Sequence, residues 1–196
     1  MNLADAKIFF ALIATIIEVV AYFPYLKDIF SLKTKPHAYT WLIWIITSGT
    51  AAIGVLYGGG RWGALGVIVG MFLISIVFLF SLKYGTKNIT IGDTMILIAA
   101  LCAIFVWWQL EQPLLAVTMV SIIDIFGYIP TFRKSYQDPW SETLIFWIAF
   151  VLSGIFAIMA LSEYNILTTT YLIAVTFANA SLVLFIFFRR RFVVSP

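Results

Sequence analysis

One cysteine and one histidine in 196 residues close off several kinds of chemistry at once. Cys102 alone excludes an internal disulfide, and His37 beside it is too little for a zinc site. Charge is scarce as well: 11% of residues are charged, where an ordinary soluble domain carries about 25%. The chain has no Ser/His pair, metal-ligand cluster, phosphate-binding glycine loop or dinucleotide fingerprint. A non-enzyme without cofactor or metal is therefore expected, since any catalysis would have to rest on Glu18 and Asp124 alone. Nucleic acid is not an expected partner either. The net charge of +3 comes from cations at the ends of apolar runs, with no basic patch.

What the chain has instead is apolar length. Hydrophobic residues make up 63% of it, and runs of about 20 of them, enough to cross a bilayer core of roughly 30 Å, recur throughout. The composition is that of an integral membrane protein with no soluble domain. Polar breaks divide it into seven predicted spans near 7–30, 37–57, 61–83, 91–110, 113–136, 141–162 and 166–190. These runs are too long, and too poor in polar alternation, for barrel strands. The first run carries Glu18 and Pro24, which both recur later, so it is expected to belong to the mature fold and not to a cleaved signal peptide.

The recurrence is an ungapped register 106 positions apart. Glu18 falls on Asp124, Tyr22 on Tyr128, Pro24 on Pro130, Lys27 on Arg133, Trp41 on Trp147 and Thr47 on Ser153. Spans one to three thus align with spans five to seven, and the fourth has no counterpart. An odd fourth crossing restores the orientation of the second copy, so the repeats are expected to be parallel. The implied architecture is all-α, 3+1+3: a first three-helix repeat over 1–88, a linker span over 89–112 and a second repeat over 113–196. Trp107, Trp108 and Gln109 are expected to mark an interface at the end of the linker. Ten of the twelve Lys and Arg residues fall on one side of this arrangement, which predicts an external N-terminus and a cytoplasmic C-terminus.

Thr15, Glu18, Tyr22 and Tyr25 are spaced for one helix face, as are Ser121, Asp124, Tyr128 and Thr131. A carboxylate at the bilayer centre costs about 3 kcal/mol or more, so such groups face a cavity or a bundle interior. Glu18, Asp124, Tyr22, Tyr128, Thr15 and Ser121 are therefore the candidates for a substrate or proton pathway, with Asn179 and Trp44 as further pocket residues. The plainer alternative is a pair of neutral carboxyls bonded to hydroxyls for packing. Pro24 and Pro130 each remove a backbone donor and crowd a carbonyl four residues back, which predicts matched kinks and a pair of hinges. Lys27 and Arg133 read as ordinary charge topology. Trp41 and Trp147, near span ends, read as aromatic-belt residues. Gly66 and Gly70 form a small-xxx-small pattern that brings two helix backbones together.

Tyr22-Phe23-Pro24-Tyr25 followed by Lys33-Thr34-Lys35, and Tyr128-Ile129-Pro130-Thr131 followed by Lys134, resemble the helix-one and helix-five motifs of the PQ-loop superfamily. That group includes the SWEET sugar transporters. Tyr25 and Thr131 stand where the glutamine of the family's Pro-Gln pair is expected. A similar plan occurs in nicotinamide-riboside-type vitamin transporters. The resemblance implies a small-solute carrier working by alternating access between two three-helix bundles, either a uniporter or a proton-coupled carrier. Its expected partners are the lipid bilayer and a small-molecule solute, with proton coupling and homo-oligomer formation left open. A receptor or sorting protein of the same fold, or a scaffold subunit of a membrane complex, is the alternative. The short loops point to a bacterial inner membrane.

Overall fold

The computed structural model describes residues 3–86, 90–110 and 112–193, without the side chains of 103, 104, 106–108 and 110. Lys87, the Glu111 break, and the expected interface side chains of Trp107 and Trp108 lie outside the described residues; Gln109 is exposed. The described residues form helices throughout, with no strands beyond a single bridge between His37 and Thr86. In order they are α1 (Leu3–Phe30), α2 (Ala38–Tyr57), α3 (Ala64–Tyr84), α4 (Ile91–Leu110), α5 (Pro113–Gly127), α6 (Ile129–Gln137), α7 (Leu144–Ala160) and α8 (Ile166–Arg189). Short 3₁₀ turns at Arg61–Gly63 and Pro139–Ser141 lead into α3 and towards α7.

Counting α5 and α6 as one span, there are seven, and five are long and apolar enough to cross a membrane. At 1.5 Å per residue, the 17 residues of α7 reach about 26 Å, the short limit for a span. The surface is that of a membrane protein, with apolar residues outside. Along α1, Phe9, Leu12, Ile16, Val20 and Phe23 are exposed, while Ala11, Ala14, Glu18, Tyr22 and Tyr25 are buried. Burying the polar stripe and exposing the apolar one suits lipid, where a carboxyl has no water to reach.

Each helix has neighbours set by its small and aromatic residues. α1 packs on α3 and α7, α2 on α3, α5 and α4, α5 on α8 and α4, and α7 on α8. With α4 left aside, the remaining pairs map onto one another when α1 is exchanged with α5, α2 with α7 and α3 with α8; of the exchanged helices, α4 packs on α2 and α5. The α2–α5 contact is close enough that a Cβ on Gly54 would collide with Val117. Ser153 on α7 donates to the Ala14 carbonyl of α1 at 3.0 Å. Two ends of the molecule are therefore distinct. At one, Lys7 meets the Met159 carbonyl at 2.8 Å and Asn165 caps α8 while bonding the Gly58 carbonyl. At the other, Lys134 pairs with Glu142, and Arg133 lies 3.9 Å from Asp93.

The two matched prolines do different things. Pro24 sits within an unbroken α1, whereas at Pro130 the span divides. α5 ends at Gly127, and Pro130 occupies the first turn of α6. That is the position where a missing N–H leaves nothing unpaired. Gly127 lies so close to Trp44 that a Cβ there would press on the indole Nε1 at 2.8 Å.

Candidate functional site

α1, α2, α3, α5, α7 and α8 all contribute to one central cavity, which contains Glu18, Asp124, Tyr22, Tyr128, Trp44 and Asn179. Helical spacing explains the gathering on each side. Glu18 and Tyr22 follow one buried stripe of α1, and Asp124 and Tyr128 follow the equivalent stripe across the α5–α6 junction. About 90 Å³ is left for the centres of water-sized groups. A second cavity of about 240 Å³ opens towards the lysine-rich end, lined by Tyr25, Thr131, Arg133, Lys134 and Glu142 among others. Trp41, Trp44 and Trp147 belong to both linings and form the partition between them. Their ring centroids lie 5.2 Å (Trp41–Trp44) and 6.1 Å (Trp44–Trp147) apart.

The two carboxyls have different surroundings. Asp124 Oδ1 accepts hydrogen bonds from the Thr47 hydroxyl of α2 and, at 3.2 Å, from the Tyr171 hydroxyl of α8. Tyr171 is in turn 3.3 Å from Ser48. Glu18 makes no hydrogen bond among the described residues. Its carboxyl lies in the groove opened by Gly66 and Gly70, where a Cβ on Gly70 would collide with Glu18 Oε1. The glycine pair thus makes room for a side chain, in addition to bringing α1 and α3 together. Both acids are buried, at 7% and 2% exposure.

The tyrosines repeat this inequality. Tyr128 donates to Asn179 Oδ1 at 3.0 Å. Tyr22 occupies the matching place in the first copy, but the residue matching Asn179 is Leu73, and the Tyr22 hydroxyl has no partner. Asn179 Nδ2 is likewise unpaired. Two buried donors that face a cavity without acceptors are costly unless something else satisfies them.

Thr15 and Ser121 are not brought to the acids. Each donates back to the carbonyl four residues earlier in its own helix, Ala11 at 2.8 Å and Val117 at 2.7 Å, the usual arrangement for a hydroxyl inside a helix. Neither lines the cavity. Trp41 and Trp147 also differ from expectation. They are 3% and 2% exposed, and the Trp147 indole donates to Glu142 at 3.1 Å. They are interior residues of the partition, not belt residues, because each is covered by rings from both halves: Trp41 by Tyr25 and Phe146, and Trp147 by Tyr128 and Trp44.

Thr47, Ser48 and Tyr171 are site residues that sequence spacing does not single out. Thr47 matches Ser153 in the other copy, and that pairing was a usable signal. Tyr171 matches Leu65, so the internal comparison conceals it. No protein-family model, curated protein or solved structure matches this chain.

Proposed function

We propose that the chain is a small-solute transporter that works by alternating access, with its site between two three-helix bundles and α4 as the linker. α1–α3 form one bundle and α5–α8 the other, in parallel orientation, with the N-terminus outside and the C-terminus in the cytoplasm of a bacterial inner membrane. The interchangeable neighbour lists of the two sets of helices support this 3+1+3 reading, and the two chemically distinct ends fit the charge asymmetry.

The observation that carries the reading is a buried cavity on the α1–α7 and α2–α5 seam in which Glu18, Tyr22 and Asn179 present polar atoms with no protein partner. Packing alone gives no reason to keep three such groups at membrane depth, whereas a bound solute satisfies them. The tryptophan partition separates that cavity from a wider vestibule, and the α5–α6 junction lies beside it. A carrier needs such an arrangement: an internal site, a barrier on one side, and a helix end beside it.

Flux in proteoliposomes tests this. Glu18→Gln and Asp124→Asn are each expected to lower solute flux by about tenfold or more while the protein remains folded, because each alters a group in the solute's path. Pro130→Ala, which lets α5 and α6 join, is expected to slow flux with binding retained, and to do so more than Pro24→Ala. Wild-type flux in all four variants would remove these residues from the transport path, and no flux of any solute in the wild type would remove the carrier reading. Ligand binding without any flux in the wild type would favour a receptor of the same fold.

A further inference from the structure

The cavity's chemistry narrows what it could hold. Its lining includes two carboxyls and no Lys, Arg or His. Solutes that depend on an anionic group find no counter-charge here. A positive group supplies one, and Glu18 lacks any protein partner to compete with it. Taking a carboxylate out of water is unfavourable unless a cation and hydrogen bonds replace the water.

The walls favour the same charge. Trp44, Tyr128 and Trp147 form a triangle with ring centroids 4.9, 5.9 and 6.1 Å apart. Tyr22 and Phe150 pack together at 5.7 Å on the α1–α7 side. Aromatic rings attract desolvated organic cations through their quadrupoles, more strongly for Trp and Tyr than for aliphatic walls of equal area. The two unpaired groups, Tyr22 Oη and Asn179 Nδ2, add a second requirement. Both can donate, so the ligand needs an oxygen that accepts.

The space between these walls, about 90 Å³ for the centres of water-sized groups, accommodates a hydroxyalkyl ammonium.

We propose, building on the carrier reading above, that the ligand of this cavity is a small alkylammonium cation bearing an oxygen acceptor. Its ammonium lies between Glu18 and the ring cluster, and its oxygen lies at Tyr22 and Asn179. Asp124, already held by Thr47 and Tyr171, completes the negative wall from the other side.

The test uses the purified full chain in detergent, with thermal unfolding as the readout. The probes are tetramethylammonium, choline and ethanolammonium, with dimethylbutanol (choline's uncharged isostere) and glucose as neutral comparisons. Choline is expected to stabilise saturably, at a half-saturating concentration about tenfold or more below that of the isostere. Glu18→Gln should erase that preference, and Asn179→Leu should erase choline's advantage over tetramethylammonium. Equal binding of choline and its isostere, or no binding by any of the three cations, would overturn the proposal. Proteoliposomes separate the two claims. Uptake of glucose without uptake of any cation sinks the ligand class and leaves the carrier. Saturable choline binding with no uptake of any probe keeps the ligand class and sinks the carrier.

Discussion

Glu18 on α1 and Asp124 on α5 occupy corresponding places in the two copies, yet one is unpartnered and the other is held by two hydroxyls. Part of the cause is Thr47, which reaches Asp124 from α2, and the rest lies on the third helix of each copy. α3 offers Leu65, Gly70 and Leu73, and α8 offers Tyr171, Thr176 and Asn179 at the same register. Where α8 supplies hydroxyl and amide groups, the acid is short and both it and Tyr128 are hydrogen-bonded. Where α3 supplies glycine and leucine, the acid is one carbon longer, and both it and Tyr22 are left open to the cavity. Positions matched in sequence thus have different surroundings in the structure. One half holds its acid as part of the protein, and the other keeps its acid for something else.

Exchanging each acid for an apolar side chain is the strongest way to break this comparison. Asp124→Leu removes the acceptor shared by the buried Thr47 and Tyr171 hydroxyls and is expected to destabilise the fold by about 2 kcal/mol, at roughly 1 kcal/mol per lost hydrogen bond. Glu18→Met removes a carboxyl with no partner, so stability should stay level or rise while transport is lost. Reversible unfolding in mixed micelles measures both. Equal destabilisation by the two substitutions would mean that the halves are alike after all.

A smaller effect comes from the space around Glu18. Gly70→Ala puts a methyl where the carboxyl lies, and is expected to cost about 1 kcal/mol as overpacking. Adding Glu18→Asp shortens the acid and copies the short-acid solution of the other half, so the double variant should recover most of the loss. A double-mutant cycle showing no coupling between the two positions would separate the glycine from the acid.

The smallest effect sharpens the comparison. Leu73→Asn gives Tyr22 the partner that Tyr128 already has, and is expected to add about 0.6 kcal/mol, an ordinary hydrogen bond between membrane helices. Unfolding midpoints for the wild type and the variant check it, and a destabilised Leu73→Asn would show that Tyr22 does not point at that register.

Much of this architecture could be read from residue order. Six of the seven spans have the boundaries that polar breaks predict to within a few residues, because helix ends in lipid are fixed where apolar runs stop. The exception is the fifth, which divides at Tyr128. The two prolines stand at equal register, but Gly127, where the first copy has Ala21, ends the helix ahead of Pro130 and packs against Trp44. At the site, Glu18, Tyr22, Asp124, Tyr128, Trp44 and Asn179 were legible because polar groups at membrane depth stand out against apolar sequence. Their partners were not. Thr47 reaches Asp124 across the α2–α5 contact, and Tyr171 reaches it across α5–α8. Neither contact has a sequence spacing. Thr15 and Ser121 misled for the opposite reason, since residues one turn apart lie close to the acids but find a nearer acceptor in their own helix.

The partition between the two cavities has an optical consequence. Trp41, Trp44 and Trp147 are buried in contact with one another and with tyrosine, so they absorb and emit as a shielded, mutually quenched group. Any motion that joins the inner cavity to the vestibule must part these rings and let water reach them. Indole emission then moves to longer wavelength and its intensity changes. The barrier that would hold a solute in place thus also serves as a built-in gauge of its own opening, readable in unlabelled protein as ligand is added.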